Sequence, residues 1–253
     1  MATAKTLYWI RHAQSRHNVT QEAAEKKLLE RFPGSAGGAT KADDFPGYRD
    51  ARKAAMFEAL NGEEVFDSPL TAQGVEQAQR LRPEAERLVQ ECGVQVVLTS
   101  SLRRTTLTAR TAFGGLQVPI VAWDELREVA GAFDCERRAA LSQQAEMFPD
   151  VDFTACSQED RLWVQYYRDA NAQAVERGVE VLDLIIDSRP ETILAVVSHG
   201  AFSHGAVFRS PHPRICSTCS PPRLNCEVVG VQVVRDDAGV FTLTPLKDDT
   251  ARL

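Results

Sequence analysis

The sequence predicts an α/β fold, a three-layer α/β/α sandwich around a mostly parallel central sheet. Short apolar runs alternate along the chain with longer stretches of helical periodicity, a pattern typical of parallel sheets covered by helices on both faces. The chain has 253 residues, of which 43% are hydrophobic and 25% charged, so it can bury one large core. We therefore expect a single domain spanning residues 1–253.

The apolar runs predict buried strands at 6–10, 94–98, 118–121 and 193–197. Helical spacing of apolar residues predicts helices at 71–90, at 102–112 and from about 160 to 187. Two runs near the C-terminus, 227–234 and 240–245, are separated by Arg-Asp-Asp-Ala-Gly and predict a hairpin at a sheet edge. Residues 32–67 show little sustained periodicity, so we interpret them as a surface insertion of the kind that covers active sites.

The charge balance limits the class of partner. Twenty-nine Lys and Arg face 35 Asp and Glu, a net charge of −6, which argues against a nucleic acid or an anionic membrane as partner. No apolar run approaches the length of a membrane span, residues 1–6 lead into no signal peptide, and six cysteines are few for a disulfide scaffold. We therefore expect a cytoplasmic protein that captures any anion in a local basic pocket.

Basic and imidazole side chains follow three of the predicted strands. Arg11 and His12 come after the first strand and His199 after the fourth, while Arg104 lies in the helix that follows the second. Because ligands of parallel sheets bind outside the carboxyl ends of the strands, these side chains are expected to converge. Arginine forks and a helix start are suited to a phosphate dianion. No GxxxxGK[ST] loop is present, which argues against a nucleotide triphosphate site of that type.

The run Arg-His-Ala-Gln-Ser-Arg-His-Asn at 11–18 resembles the signature of the histidine phosphatase superfamily, in its phosphoglycerate-mutase-like branch. Further motifs agree in order, namely Asp67-x-Pro69-Leu70-Thr71-x-x-Gly74 with Gln77, Ser100-x-Leu102-x-Arg104, Leu126-Arg127-Glu128 and Ser198-His199-Gly200. The resemblance covers about residues 6–234. It is strongest to phosphomutase-like proteins of plants and fungi, which share the elements seen here as Cys135-Glu136-Arg137-Arg138 and Asn225-Cys226-Glu227.

The resemblance implies a role for each matched residue. His12 would be the nucleophile that becomes a phosphohistidine, and Glu128 the proton donor. The other members of the phosphate pocket would be Arg11, Arg104, His199 and Asn18. Gln14 and Ser15, together with Arg137 and Arg138 beyond Glu128, are further candidates for substrate binding. The chain departs from the wider superfamily at Ala13, where Gly is usual, and at Ser101, where Pro is common.

The chemistry places physical demands on this pocket. A nucleophilic imidazole must be neutral, so we expect a backbone carbonyl to hold the second nitrogen of His12. Two arginines and a protonated His199 would stabilise the transferring phosphoryl group, and we predict no metal and no cofactor. Asp124 and Glu125 are the nearest rivals of Glu128 as acid and base.

These residues favour a phosphatase acting on a small phosphorylated metabolite. The family's mutases follow the catalytic Glu with Arg-His-Tyr-Gly, whereas Val-Ala-Gly follows Glu128 here. A phosphoglycerate mutase and a non-catalytic phospho-ligand binding module remain the alternatives. Among other residues, we expect His17 to be solvated or to stabilise its loop and Trp163, Tyr166 and Tyr167 to be core. Cys216, Cys219, Cys226 and His212 form a minor zinc hypothesis.

Overall fold

An eight-stranded sheet forms the middle layer of the computed structural model, which describes residues 3–32, 47–129, 133–163 and 171–246. The strands are β1 Thr3–Arg11, β2 Val96–Ser100, β3 Ile120–Trp123, β4 Val151–Asp152, β5 Ile193–Ser198, β6 Ile215–Ser217, β7 Val228–Arg235 and β8 Phe241–Pro245. Their order across the sheet is β4-β3-β2-β5-β1-β7-β8-β6. β7 pairs antiparallel with both β1 and β8, and the other neighbours are parallel. The predicted mostly parallel sheet and the β7–β8 hairpin are confirmed.

Helices cover both faces of this sheet. They are α1 Arg16–Arg31, α2 Tyr48–Leu60, α3 Ala72–Arg80, α4 Arg82–Gln90, α5 Arg103–Phe113, α6 Leu141–Met147 and α7 Asn171–Ser188. A short helical turn, Gly200–Phe202, continues into a π-helical segment, Ser203–Phe208. None of the helices in these described stretches is long and apolar enough to cross a membrane.

Alternate residues of β1 point to the two faces of the sheet, as the pleat of a strand requires. Leu7 and Trp9 belong to an apolar cluster completed by α7 and the π-helical segment. Tyr8 and Ile10 belong to the cluster on the opposite face, completed by α3, α4 and α5. Because both faces of the strand are buried, the run has no polar alternation. The three-layer fold class is therefore confirmed.

Four expectations about individual elements need correction. The predicted helix at 71–90 is two helices, because Pro83 in the first turn of α4 cannot continue the hydrogen bonds of α3. The 160–187 helix is described only from Asn171, since residues 160–163 are irregular and 164–170 lie outside the described residues. The insertion at 32–67 contains the helix α2, and its residues 33–46 also lie outside the described residues. The sheet ends at β6, which pairs with β8 beyond the hairpin.

Candidate active site

The carboxyl ends of β1 and β5 lie side by side and bring two histidines together. Arg11 is in register with Ser198, and the N–H of His12 donates to the Ser198 carbonyl at 3.0 Å. The ring centroids of His12 and His199, the next residues along each strand, are 5.1 Å apart. β2 pairs with the other edge of β5, so the helix carrying Arg104 starts at the same end of the sheet. We refer to Arg11, His12, Arg104 and His199 as the His12 pocket.

His12 is held in the neutral form with one nitrogen available. Its ring is 2% exposed, and Nδ1 lies 2.7 Å from the Ala13 carbonyl oxygen. Because a carbonyl can only accept, Nδ1 carries the proton and Nε2 carries the lone pair. Burial, with Arg104 and Arg11 close by, holds the pKa of His12 well below its usual value. The expected backbone carbonyl partner is therefore present.

The backbone around His12 is fixed from three sides. The Asn225 side-chain amide donates to the His12 carbonyl at 2.6 Å, and the N–H of Ala13 donates to Thr108 Oγ1 at 3.1 Å. The N–H of Cys226 donates to the Arg11 carbonyl at 2.9 Å, from a residue with a φ of 61°. Asn225 and Cys226, just before β7, therefore hold the backbone of Arg11 and His12 in place.

Both arginines of the pocket have a buried N–H group that finds no partner in the described part of the chain. Arg104 is fully buried and donates from Nε to His199 Nδ1 at 3.2 Å and from Nη1 to the Cys135 carbonyl at 2.8 Å, while its Nη2 has no partner among the described residues. Arg11 donates from Nη1 to the Arg223 carbonyl, and its Nε has none within the same part of the chain. Buried donors of this kind need an acceptor, and an oxyanion is one that could satisfy both.

His199 differs from the expectation of a protonated ring. Its Nδ1 accepts a hydrogen bond from Arg104, and an arginine can only donate, so that nitrogen carries no proton. Nε2 lies 2.8 Å from Ser100 Oγ. Burial, together with Arg104 and His12, holds the pKa of His199 well below its usual value. The positive charge of the pocket therefore resides on the two arginines.

His17 lies beside the pocket; it is buried and not solvated, and it stabilises its loop through Ser15. It is 9% exposed, and its ring centroid is 5.7 Å from that of His12. Its Nε2 faces the Asn18 amide nitrogen at 3.1 Å and its Nδ1 faces Ser15 Oγ at 2.6 Å, while Ser15 Oγ donates to Asn18 Oδ1 at 3.0 Å. These three bonds close a ring that requires a neutral His17. Ser15 and Asn18, expected to bind substrate, direct their polar atoms into this ring.

The loop after His12 is anchored by the Asp67–Gly74 motif. Gln14 accepts from the Thr71 N–H at 3.1 Å and from Thr71 Oγ1 at 2.7 Å, and its own N–H donates to Gln77 Oε1 at 2.8 Å. A Cβ at Gly74 would stand 1.9 Å from the Gln14 carbonyl oxygen, so only glycine fits. The Gln14 side chain, a substrate-binding candidate, thus holds the loop.

Glu128 is positioned next to the His199 turn. Its carboxylate accepts from the N–H groups of Val129 at 3.0 Å, Phe202 at 2.6 Å and Ala201 at 3.1 Å. The guanidinium of Arg177 donates to the backbone carbonyls of Glu125, Arg127 and Glu128 and so holds this segment against α7. The Glu128 carboxylate therefore lies at the N-terminal end of the Gly200–Phe202 turn, on a segment that Arg177 holds in place.

The rival carboxylates of Glu128 lie elsewhere. Asp124 is buried; it accepts hydrogen bonds from Ser101 Oγ at 2.5 Å and from the Ser157 N–H at 3.0 Å, and it forms an ion pair with Arg138, whose Nε is 3.1 Å away. Glu125 lines a separate surface pocket beside α7, and burial raises its pKa. Neither residue lines the cavity that Glu128 and Arg104 share.

That cavity has a volume of about 580 Å³. The residues lining it are His17, Gln21, Arg52, Lys53, Met56, Phe57, Leu60, Arg104, Glu128, Phe133, Cys135, Glu136 and Ala201. Sequence reasoning missed Glu136, which is 5% exposed and is a second carboxylate on this wall. The lining also includes one face of α2, from a segment without a clear sequence signal.

Two predicted substrate-binding arginines do not line this cavity. Arg138 is buried against Asp124 and donates to the Ser157 carbonyl at 2.6 Å. Arg137 stacks on the rings of Phe66 and Trp163, at 5.3 and 4.9 Å from their centroids. Trp163 lies in an irregular segment, and Tyr166 and Tyr167 are outside the described residues. The structure therefore brings together Arg11, His12, Arg104, His199 and Glu128, and leaves Arg137 and Arg138 apart.

The described residues contain no group of three or more His, Cys, Asp or Glu placed to hold a metal ion. This search includes the CxxC pair, of which Cys216 is exposed on β6 and Cys219 is buried. Cys226 is buried two residues before β7, and burial raises the pKa of its thiol to about 12. The zinc hypothesis has no cluster in this part of the chain.

Comparisons with known proteins identify the family and the fold. A family model described as the histidine phosphatase superfamily, branch 1, matches residues 60–215. Phosphoglycerate mutase-like protein 1 of Arabidopsis thaliana is 25% identical, over 91% of this chain and 81% of its own. A phosphoglycerate mutase-like protein of the same plant is 28% identical, over 79% and 73%.

Two solved structures show the same fold. YhfR of Bacillus stearothermophilus superposes with a TM-score of 0.53 at 21% identity, covering 96% of both chains. A mycobacterial glucosyl-3-phosphoglycerate phosphatase gives a TM-score of 0.53 at 14% identity, covering 95% of this chain and 97% of its own. At these identities the likeness concerns the arrangement of strands and helices.

Proposed function

The chain belongs to the histidine phosphatase superfamily, branch 1, and we propose that it is a metal-independent phosphatase that hydrolyses small phosphate monoesters through a phosphohistidine at His12. One observation carries the proposal. A neutral histidine with an available Nε2 lies beside two arginines, each with a buried donor that no acceptor in the described stretches satisfies. A phosphoryl group satisfies these donors and presents its phosphorus to the nucleophile.

The first chemical step forms a bond from His12 Nε2 to phosphorus and breaks the ester bond to the leaving oxygen. His12 needs no base for this attack, because Nε2 already carries a lone pair and the Ala13 carbonyl stabilises the proton on Nδ1. Attack makes the ring cationic, and the same carbonyl acceptor holds the Nδ1 proton throughout. In the second step water displaces the phosphoryl group from Nε2 and releases inorganic phosphate.

Arg11 and Arg104 stabilise the charge that spreads over the equatorial oxygens of the transferring group. Their guanidiniums are held by carbonyl acceptors and by His199, so the pocket needs little reorganisation when the transition state forms. His199 acts in this proposal by orienting Arg104 and by packing against the ring of His12. Asn18 and Ser15 act through His17, whose orientation their hydrogen bonds fix.

Glu128 protonates the leaving oxygen in the first step and removes a proton from water in the second. The proposal rests on its place in the cavity beside Arg104 and on the backbone bonds that hold its carboxylate. General acid–base help of this kind contributes about 10²–10⁴-fold to a rate. We place the reaction in the cytoplasm, with a small phosphorylated metabolite as substrate and no resident cofactor.

The test is a phosphate-release screen over a panel of phosphorylated metabolites and aryl phosphates. We expect release from several esters by the wild-type protein and none above background by His12→Ala. Retention of full activity by His12→Ala would assign the chemistry to another residue.

The second candidate is a phosphoglycerate mutase, which the names of the Arabidopsis relatives favour. A mutase must keep its phosphoryl group from water while the intermediate turns in the site. Interconversion of 2- and 3-phosphoglycerate faster than phosphate release would favour this candidate. A protein that binds these esters without converting them would instead be a phospho-ligand binding module.

A further inference from the structure

One wall of the cavity next to the His12 pocket carries cationic side chains at one end and apolar side chains at the other. The face of α2 that lines it carries Arg52, Met56 and Leu60 at intervals of four residues, with Lys53 and Phe57 beside them. Residues four apart stack along one side of a helix. The wall is therefore cationic at the start of α2 and apolar toward its end.

The apolar end of this wall is the end nearest the His12 pocket. Just past α2, Asn61 Oδ1 accepts from the Asp134 N–H at 3.1 Å, and the N–H of Gly62 donates to Asp134 Oδ2 at 2.9 Å. The next residue, Cys135, offers its carbonyl to Arg104 Nη1 at 2.8 Å. The start of α2, with its two cations, is consequently the distant end.

The distance between the two ends of the wall can be measured along α2 and along α1, and both helices give the same value. Along α2, eight residues separate Leu60 from Arg52, which corresponds to about 12 Å at 1.5 Å per residue. Along α1, eight residues separate His17, beside the pocket, from Glu25, again about 12 Å. Glu25 Oε1 lies 3.4 Å from Arg52 Nη2, so the two measurements end at the same place.

The side chains at the distant end are suited to an anion. Arg52 and its partner Glu25 are 50% and 39% exposed, and exposed pairs of this kind are weak. Lys53 is exposed and makes no ion pair with any described residue. Phe57, which is 47% exposed, and Phe133 also line the cavity and add to its apolar surface.

We propose that the substrate is an elongated phosphate monoester with an apolar body and a second anionic group, which Arg52 and Lys53 hold about 12 Å along the wall from its pocket end. The inference rests on the proposed function, because it takes the His12 pocket as the phosphate end. The second group can be a carboxylate, a sulfonate or another phosphate, since all three pair with these cations.

The test compares 4-biphenylyl phosphate with its 4′-carboxy derivative, whose two para-linked rings match the length of the wall. We expect the wild-type protein to favour the carboxylated ester in kcat/KM by about tenfold, as two partly exposed ion pairs provide. In Arg52→Met/Lys53→Met this ratio should fall to near one. Lys27→Met, on α1 but in the groove on its other side, is the matched control and should keep the wild-type ratio.

A binding measurement separates this inference from the proposed function. Calorimetry with the two corresponding non-hydrolysable phosphonates should show the same tenfold preference and its loss in the double variant. Preference in binding without any turnover would refute the phosphatase and keep the second anionic subsite. Turnover of both esters with equal kcat/KM, unchanged by Arg52→Met/Lys53→Met, would overturn the subsite and keep the phosphatase.

Discussion

Three buried neutral histidines predict a steep loss of stability in mild acid. His12, His17 and His199 all have pKa values held well below the ordinary value, with burial as the largest cause. In the unfolded chain each protonates with a pKa of about 6.5. Because the folded pKa is the lower one, the stabilisation is present above pH 6.5 and is lost as the pH falls.

The size of the loss follows from proton linkage. Between pH 7.0 and 5.5 the unfolded state gains about 1.2 kcal/mol for each histidine that stays neutral in the folded state. Three such histidines therefore remove about 4 kcal/mol, a large part of the 5–15 kcal/mol typical of a folded domain. Buried Asp67 and Glu125, whose pKa values burial raises, act in the opposite direction. A wild-type-minus-variant comparison cancels their contribution.

The assay is urea unfolding at the two pH values, followed by tryptophan fluorescence from the buried Trp9 and Trp123. We expect His12→Gln to make the fall between pH 7.0 and 5.5 smaller by about 1.2 kcal/mol. His204→Gln is the matched control, because His204 is exposed and should leave the fall unchanged. An equal fall in wild type and His12→Gln would refute a neutral, buried His12, and with it the basis for attack by Nε2.

Three further predictions concern the acid–base residue, the loop after His12 and the metal. Glu128→Gln should lose about 10²–10⁴-fold in kcat/KM, which reports the first step, on phenyl phosphate with its poor leaving group, and much less on 4-nitrophenyl phosphate. Glu125→Gln should keep both values. The reverse pattern would move the role to Glu125, and the same loss in Glu136→Gln would move it to that carboxylate. Gly74→Ala should lower the unfolding free energy by about 1–3 kcal/mol and reduce kcat, because its Cβ meets the Gln14 carbonyl oxygen. Gly205→Ala, in the π-helical segment, has no atom within 4 Å of its Cβ and should lower neither value. Normal stability in Gly74→Ala would show that the loop shifts without cost. Dialysis against a chelator should leave turnover unchanged, and activity lost there and restored by a divalent ion would place a metal in the reaction.

Strand ends were the part of the site most accessible to sequence reasoning. Buried parallel strands appear in a sequence as uninterrupted apolar runs. The polar residues that follow them, Arg11, His12 and His199, must lie together at the carboxyl ends of the strands. The backbone carbonyl partner of His12 also follows from chemistry, since the nucleophile needs a fixed tautomer. These inferences depend on local pattern and on a general rule of topology.

Contacts between distant segments were not accessible in the same way. α2 has a weak apolar stripe because it packs on α1 and the Cys135 segment instead of on the sheet, so its helical signal was missed. The sequence predicts that Arg138 binds substrate. In the structure it pairs instead with Asp124, which lies 14 positions earlier in the chain and on another turn. The closed hydrogen-bond ring of His17, Ser15 and Asn18 depends on side-chain orientation, which no spacing encodes.

The most direct measurement is the identification of the phosphorylated residue during turnover. Wild-type protein mixed with a reactive aryl phosphate and quenched in base should carry one acid-labile, base-stable phosphoryl group, and mass spectrometry should place it on the tryptic peptide 12–16. His12→Asn should carry none and release no phosphate. A phosphoryl group on another residue, or phosphate release by His12→Asn at the wild-type rate, would contradict the assignment of His12 as nucleophile.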